Sequence, residues 1–266
     1  MMTTMHFTAY LPQQMTEAIA YYGHGGYGLY AGGFNTLTLI GIALLIIVGI
    51  IGAVVQSRLQ AVMRKYSEVY APMTGAQTAQ AMLQNNGLNH VRITHTRGRL
   101  TDHYNPGDCT VNLSDVVYAQ PSIAAMAVAA HECGHALQHA QAYPWLGLRS
   151  KLVPMVNIGS RMGQILLILG LFLLAGGSDA TIAWVGLALF GTTTLFTLVT
   201  LPVEFDASRR ALQWLENSGI VNKEMHGHAA TALRWAAMTY VAAALSSLAM
   251  LLYYAFIILS RSRDRS

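Results

Sequence analysis

One short segment organises the chain: Ala129-Ala130-His131-Glu132-Cys133-Gly134-His135-Ala136-Leu137. His131 and His135 are four residues apart, so a helix places both imidazoles on one face, one turn apart. Glu132 follows the first histidine directly and can reach a water on a metal held by the pair. The pattern H-E-x-x-H is typical of a zinc site in which the glutamate is the general base. It predicts one catalytic Zn²⁺ held in part by His131 and His135.

The residues before this motif favour the helix that the motif requires. Pro121 and Ser122 form a helix start with Ser122 as the N-cap, and residues 123–130 are rich in alanine. The alternative is a buried structural helix whose histidines only make hydrogen bonds. That alternative is disfavoured, because a glutamate beside two histidines on an apolar helix costs free energy unless a metal or another partner satisfies it.

The composition is typical of a membrane protein. Of the 266 residues, 53% are hydrophobic and only 11% are charged, against about a quarter charged in soluble domains. Crossing the hydrocarbon core takes about 20 apolar residues, and Pro202 is expected to end one such segment. The predicted spans are residues 36–55, 156–177, 181–201 and 236–259. The two cysteines, Cys109 and Cys133, give no disulfide framework.

The polar region between the first span and the motif is expected to hold a helix and a small sheet. Thr74 caps a helix over residues 75–84, which ends near Gly87. Short strands are predicted at residues 91–95, 99–104 and 109–113. A sheet edge can hold an extended peptide by main-chain hydrogen bonds, and residues 109–113 are its expected place. The predicted fold class is a mainly α membrane protein, with about four transmembrane helices and an α+β part containing a small sheet.

Two regions are expected along the chain: an N-terminal segment, residues 1–35, and one integral-membrane domain, residues 36–266. The first contains no Lys or Arg and is rich in Gly, Tyr and His. It lacks the basic start and the early apolar core of a secretory signal. A flexible segment is therefore expected, and metal binding by His6 or His24 is the less favoured alternative.

The distribution of basic residues predicts the orientation in the bilayer. If the two central spans form a hairpin, residues 57–155 and 202–235 share one side, and they contain twelve of the 16 Lys and Arg residues. The positive-inside rule places that side, with the motif, in the cytoplasm. A bacterial inner membrane is the expected location. Arg261, Arg263 and Arg265 favour the opposite orientation for the last span. The basic residues thus indicate a membrane face rather than a nucleic-acid surface.

A catalytic zinc usually takes three protein ligands and keeps one position for water. Glu204 is the predicted third ligand, because it directly follows the third span on the same side as the motif; the alternative is an ordinary acid at a helix N-terminus. Asp206 is the next candidate, either as a ligand or as the group that holds a ligand histidine by its outer nitrogen. The metzincin pattern would need a glycine at position 138 and a histidine ligand at position 141. The chain has Gln138 and Gln141 there, so that pattern fails.

His139 lies on the helix face of the two motif histidines, but three ligands at successive i,i+4 positions cannot easily converge on one ion. It is therefore expected to be an accessory or surface residue.

This ligand set predicts hydrolysis of peptide bonds. Zinc lowers the pKa of its bound water towards about 7. Glu132 then takes the proton as the water attacks a peptide carbonyl, and passes it to the leaving amine. A further donor to the oxyanion is expected, and the sequence leaves five candidates open: His103, Tyr104, Arg209, His226 and His228.

Four blocks of sequence carry a family resemblance: residues 101–106 (TDHYNP), 111–114 (VNLS), 129–139 (AAHECGHALQH) and 201–212 (LPVEFDASRRAL). From about residue 57 to the end, the chain resembles the YugP-like neutral zinc metallopeptidases, which are distantly similar to the HtpX and Ste24 membrane proteases. The resemblance implies a zincin-like catalytic part in which His131, His135 and Glu204 bind zinc and Glu132 is the base. HtpX-like proteins commonly carry an aspartate four residues after the ligand glutamate, where this chain has Ser208.

Three functions follow from these patterns. The first is a zinc-dependent integral-membrane endopeptidase acting on membrane or misfolded proteins, with a protein or peptide substrate and the lipid bilayer as partners, and no nucleic acid. The second is a site-2-type intramembrane protease with residues 116–130 in the bilayer, although Gln120 and Pro121 interrupt that run and no Asp-Gly metal motif follows in a span. The third is a non-catalytic scaffold with a closed zinc site of four ligands: His131, His135, His139 and Glu204.

Overall fold

The computed structural model describes residues 36–98 and 100–263. The expected N-terminal segment, residues 1–35, lies outside them. The elements of the described residues are, in order, α1 (Thr36–Ser67), α2 (Gly75–Asn85), β1 (Arg92–Thr96), β2 (His103–Asn105), β3 (Thr110–Ser114), α3 (Asp115–Ala119), α4 (Ile123–Ala140), α5 (Pro144–Ala175), α6 (Thr181–Asn217) and α7 (Lys223–Arg263). The predicted fold class, mainly helical with one small sheet, is confirmed.

Helices α1, α5, α6 and α7 are long and apolar enough to cross a membrane. Each covers one of the four predicted spans, apart from two residues at the end of the second. Four apolar helices of membrane-spanning length in the described residues agree with the predicted fold class. The helices are 32 to 41 residues long, because each continues from its apolar segment into more polar sequence.

The prediction that Pro202 ends the third span is wrong, because α6 continues through it to Asn217. Proline removes one backbone hydrogen bond and crowds the carbonyl four residues earlier, but its fixed φ is helical, so a long helix can continue past it. Pro154 has a similar place inside α5. As a consequence, Glu204 lies inside a continuous helix and not at a helix N-terminus.

The described chain divides into two compact units. The first comprises Val54–Gly147 and Thr200–Tyr240 and contains the sheet, α2, α3, α4 and parts of the long helices. The second comprises Leu148–Val199 with residues 36–53 and 241–263, and is helical.

The sheet of the first unit has the order β1-β3-β2. Strand β3 is central, parallel to β1 and antiparallel to β2. Each strand overlaps its predicted segment. The expectation that residues 109–113 offer a free edge is wrong, because β3 is hydrogen-bonded on both sides and the edges are β1 and β2.

Helix α4 lies in the core of the first unit. The Ser122 hydroxyl accepts a hydrogen bond from the Ala125 N–H at 3.2 Å, so Ser122 is the N-cap that the sequence predicts. The predicted helix at residues 75–84 is also present, capped by a reciprocal pair of hydrogen bonds between Thr74 and Gln77. Large apolar side chains of α4 and α2, including Met126 and Met82, are fully buried, and each contributes about 1.5–3 kcal/mol to stability.

Glycines allow α5 and α6 to approach closely in the second unit. A Cβ on Gly170 would lie 2.3 Å from the Ala183 nitrogen, and a Cβ on Gly186 would lie 2.3 Å from the Leu167 nitrogen. Small residues let membrane helices pack by van der Waals contact where lipid offers no hydrophobic driving force. Gly177, with a φ of +102°, lies in the tight turn between these helices.

Candidate metal centre

Two helices of the first unit bring three of the predicted residues together. His131 and His135 lie one turn apart on α4, with ring centroids 4.8 Å apart and ring planes at 83°. Glu204 extends from α6, and its Oε2 lies 3.3 Å from His131 Nε2 and 3.6 Å from His135 Nε2. One ligand atom from each residue lies within 4.8 Å of the other two, and the group is buried.

This arrangement fits a zinc ion. A tetrahedral ion with bonds of about 2.0–2.1 Å holds its ligand atoms about 3.3 Å apart, and the carboxylate-to-imidazole distances are 3.3 and 3.6 Å. Two imidazoles and one carboxylate form a ligand set that catalytic zinc sites use, with the fourth position left for water. The buried His-His-Glu group therefore has both the chemistry and the spacing to hold the ion.

Gly134 allows the two ligand-bearing helices to come this close. A Cβ at this position would lie 2.5 Å from the carbonyl oxygen of Ala207 on α6 and 3.1 Å from its Cα. Ala207 is three residues after Glu204, so the contact lies one turn from the carboxylate. The glycine between the motif histidines is thus needed for Glu204 to reach them.

The outer nitrogen of each motif histidine faces a polar side chain. His131 Nδ1 lies 3.1 Å from the hydroxyl of Ser208 on α6. His135 Nδ1 lies 3.0 Å from Oε1 of Gln138, three residues along α4. When each Nδ1 carries the proton and donates it, each Nε2 keeps its lone pair for a metal.

Among the described residues, the hydrogen-bond partners found for the Asp206 side chain are Gln138, Arg209 and Arg210. Its carboxylate accepts hydrogen bonds from the Gln138 side-chain amide at 2.9 Å and from the side chains of Arg209 and Arg210. It therefore reaches His135 through Gln138. Sequence reasoning treated Gln138 only as a mismatch to the metzincin pattern; its position three residues after His135, on the same helix face, was the available signal.

Glu132 is 4% exposed, and one carboxylate oxygen accepts a hydrogen bond from the backbone N–H of Tyr104 at 3.0 Å. Burial raises the pKa of Glu132 to about 7; the neighbouring acids Asp102 and Glu204 add to the rise, and His131 and the Tyr104 hydrogen bond oppose it. The edge strand β2 therefore fixes the carboxylate that the motif places beside the ligands.

Asp102 supports that strand. Its buried carboxylate accepts hydrogen bonds from the Ser114 N–H at 2.7 Å and the Ser114 hydroxyl at 3.0 Å. Burial raises the pKa of Asp102, and the bonds from Ser114 lower it. The residue just before β2 is thereby tied to the end of β3.

The five candidates for oxyanion donor occupy different surroundings. Only Tyr104 among them has a hydrogen bond to Glu132 in the described part of the chain, and its hydroxyl lies 2.8 Å from His139 Nδ1. His103 Nδ1 lies 2.7 Å from the Thr101 carbonyl oxygen. The other three have contacts elsewhere: Arg209 with Asp206, His226 with the Leu212 carbonyl, and His228 with the Tyr66 ring.

His139 is exposed, and in the described chain the group of possible metal ligands is His131, His135 and Glu204, without it. Its Nδ1 faces the Tyr104 hydroxyl. Helix α4 itself is not among the four helices that qualify as membrane spans in the described residues. The position of His139 therefore does not support the scaffold with four zinc ligands. The character of α4 does not support the intramembrane protease.

A buried His-His-Glu group, together with four membrane-length apolar helices among the described residues, defines a membrane protein with a zinc-type centre. The family model described as "Putative neutral zinc metallopeptidase" matches residues 41–259. The chain belongs to this family, and the resemblance seen in its motifs is confirmed. A curated relative, "Putative membrane protease YugP" of Bacillus subtilis (strain 168), is 42% identical over 213 residues, which are 79% of this chain and 92% of that protein. No solved structure gives a significant match.

Proposed function

We propose that this protein is a zinc-dependent integral-membrane endopeptidase that hydrolyses peptide bonds of membrane or misfolded proteins. His131, His135 and Glu204 hold the ion, and Glu132 is the general base. The observation that carries the proposal is the position of the buried Glu204 carboxylate, 3.3 and 3.6 Å from the two imidazoles of the helix that also carries Glu132. Membership of a zinc metallopeptidase family supports the same assignment.

A zinc ion at this position would polarise the scissile carbonyl and lower the pKa of a water towards about 7. Glu132 takes the proton of that water and delivers it to the leaving amine. The Tyr104 N–H holds one oxygen of Glu132 at 3.0 Å, which leaves the other oxygen for the water. Fixing the base in advance removes the need to order it during the reaction.

The substrate is proposed to lie beside β2. This strand is an edge of the sheet, whereas β3 is paired on both sides, and β2 contacts the general base through Tyr104. An extended peptide can add to such an edge by main-chain hydrogen bonds. The peptide bond would then pass close to Glu132, which the Tyr104 N–H already holds at this edge.

The active site is proposed to face the cytoplasm of a bacterial inner membrane. The supporting observation is the bias of basic residues towards residues 57–155 and 202–235. Reporter fusions after Ser178 and after Gly219 test it, because the two positions lie in the turns before and after α6. The first fusion is expected on the outer side and the second in the cytoplasm; the reverse pattern would overturn the orientation.

The function is tested with full-length protein in detergent, carrying Glu132→Gln. The variant is expected to bind one zinc per chain, because the three ligands are intact, and to cleave reduced casein at least about 10²-fold more slowly, because the general base is lost. Glu216→Gln is the matched control, since Glu216 is exposed on the same helix as Glu204. Undiminished cleavage by zinc-loaded Glu132→Gln protein would refute the mechanism.

A further inference from the structure

Gln138 is a fully buried amide that joins the two helices of the metal centre. It is 0% exposed and lies on α4, three residues after His135. Its Oε1 lies 3.0 Å from His135 Nδ1. Its Nε2 donates to the Val203 carbonyl at 2.8 Å and to Asp206 Oδ2 at 2.9 Å, both on α6.

We propose that Gln138 is a positioning residue for the metal centre, which fixes the tautomer of His135 and holds the turn of α6 that carries Glu204. The inference rests on the proposed function, because it concerns the ligands assigned there. It assigns a role outside the H-E-x-x-H motif to a residue that touches neither the ion nor the substrate.

The proton arrangement around Gln138 has only one consistent solution. A backbone carbonyl and a carboxylate are acceptors, so the NH₂ group must face Val203 and Asp206. The amide oxygen must then face His135, and His135 Nδ1 must carry the proton and donate it. The lone pair of His135 is thereby left on Nε2, the nitrogen that lies 3.6 Å from Glu204. The side chain of Gln138 thus selects the tautomer that can bind a metal.

The two acceptors on α6 flank the third ligand. Val203 precedes Glu204 by one residue and Asp206 follows it by two, so the amide holds the helical turn that carries the carboxylate. Asp206 is itself fixed by Arg209 and Arg210. Arg210 also donates to Gln141 Oε1 at 2.6 Å, which adds a second bridge back to the end of α4.

The two motif histidines are therefore oriented differently. His131 meets a single hydroxyl, that of Ser208, at 3.1 Å. His135 meets an amide that a carboxylate and two guanidinium groups hold in place. Hydrogen bonds to charged groups are stronger than those between neutral groups. Gln138 is accordingly expected to matter more for metal binding than Ser208.

The test is the zinc affinity of the full-length protein in detergent, measured by competition with a chromophoric chelator. Gln138→Met keeps the length of the side chain and removes every hydrogen bond. Gln138→Glu keeps an acceptor for His135 but loses both donations to α6. Each variant is expected to raise the Kd for zinc about 10–100-fold and to shift the visible absorption bands of the cobalt-substituted protein. Gln80→Met is the matched control, because Gln80 is exposed on α2, and its Kd should equal that of the wild type.

A merely structural role predicts a different result: a lower melting temperature of the metal-free protein with an unchanged Kd in the folded fraction. A wild-type Kd in either folded variant would overturn the inference, and so would loss of the fold in both variants with zinc present. The zinc titration does not depend on cleavage. Failure of the wild type to bind zinc would refute the proposed function itself, whereas an unchanged Kd in the variants refutes only the role of Gln138.

Discussion

Replacing Gly134 by alanine should weaken zinc binding strongly while changing the stability of the metal-free protein only slightly. The added Cβ would lie 2.5 Å from the Ala207 carbonyl oxygen, whereas ordinary contact begins at 3.4 Å. Because the clashing atom belongs to the backbone of α6, it cannot rotate away. The helices must separate locally by about 0.9 Å, the difference between the two distances.

That separation is large for a metal site. Glu204 Oε2 lies 3.3 and 3.6 Å from the two imidazole nitrogens, close to the roughly 3.3 Å that a tetrahedral ion requires. Moving Glu204 away by most of an ångström prevents three normal bonds to one ion. A misplacement of this size can cost about 10² in catalytic rate. We expect a comparable loss in casein cleavage and a rise of at least tenfold in the Kd for zinc.

The free energy of unfolding of the metal-free Gly134→Ala protein should change far less than its zinc affinity. Alanine is favoured over glycine in a helix interior by about 1 kcal/mol, and the local overpacking costs about 1–3 kcal/mol. These effects oppose each other, so the melting temperature of the metal-free protein should fall only slightly. Gly147→Ala is the matched control, because a Cβ there meets nothing within 4 Å. A Gly134→Ala protein with wild-type zinc affinity would show that the close approach of α4 and α6 does not position Glu204.

Other predictions concern the metal, the sheet and the membrane helices. Removing zinc with 1,10-phenanthroline should abolish casein cleavage. It should also lower the free energy of unfolding by about 2.7 kcal/mol relative to protein with free zinc at 100 times its Kd. Added zinc should restore both, and cleavage that persists without metal would contradict a zinc enzyme. Asp102→Ala should cost about 1–3 kcal/mol, because the buried Ser114 N–H loses its acceptor; an unchanged thermal melt would refute this support for β2. Gly170→Ala should lower the melting temperature, because the added Cβ would lie 2.3 Å from the Ala183 nitrogen. Gly52→Ala should not, because a Cβ there meets nothing within 4 Å. Equal effects of the two substitutions would refute the role of the glycine contact.

Local patterns in the sequence predicted the elements well, because each depends on nearby residues. Apolar length predicted the four long helices, and the Ser122 cap with the alanine run predicted α4. Pro202 was misread, because proline in a long helix costs one hydrogen bond and some crowding, which packing along α6 can offset. Strand positions were found, but strand order was not. Which of three short strands lies in the centre depends on pairing between distant segments, and no residue pattern at 109–113 reports it.

Helix geometry alone predicts that Glu204 and Asp206 do not both bind the same ion. Residues two apart on a helix point about 200° from each other, so Glu204 and Asp206 cannot both point at the imidazoles of His131 and His135. The structure has Glu204 facing the imidazoles and Asp206 reaching the site through Gln138. The contact of Gln138 with α6 could not be predicted in the same way, because it requires the relative position of two helices more than 60 residues apart in sequence.

The metal ligands and the helix contacts share one seam between α4 and α6. On α4 the seam carries His131, Gly134, His135 and Gln138, and on α6 it carries Glu204, Ala207, Ser208 and Ala211. Both sets follow the spacing i, i+3, i+4, i+7, which is one face of a helix. Each set combines groups that bind the ion or orient its ligands with small residues, and the two backbones meet at Gly134 and Ala207. Because chemistry and packing use the same face, a substitution that widens the seam must also change the ligand geometry, even when it touches no ligand.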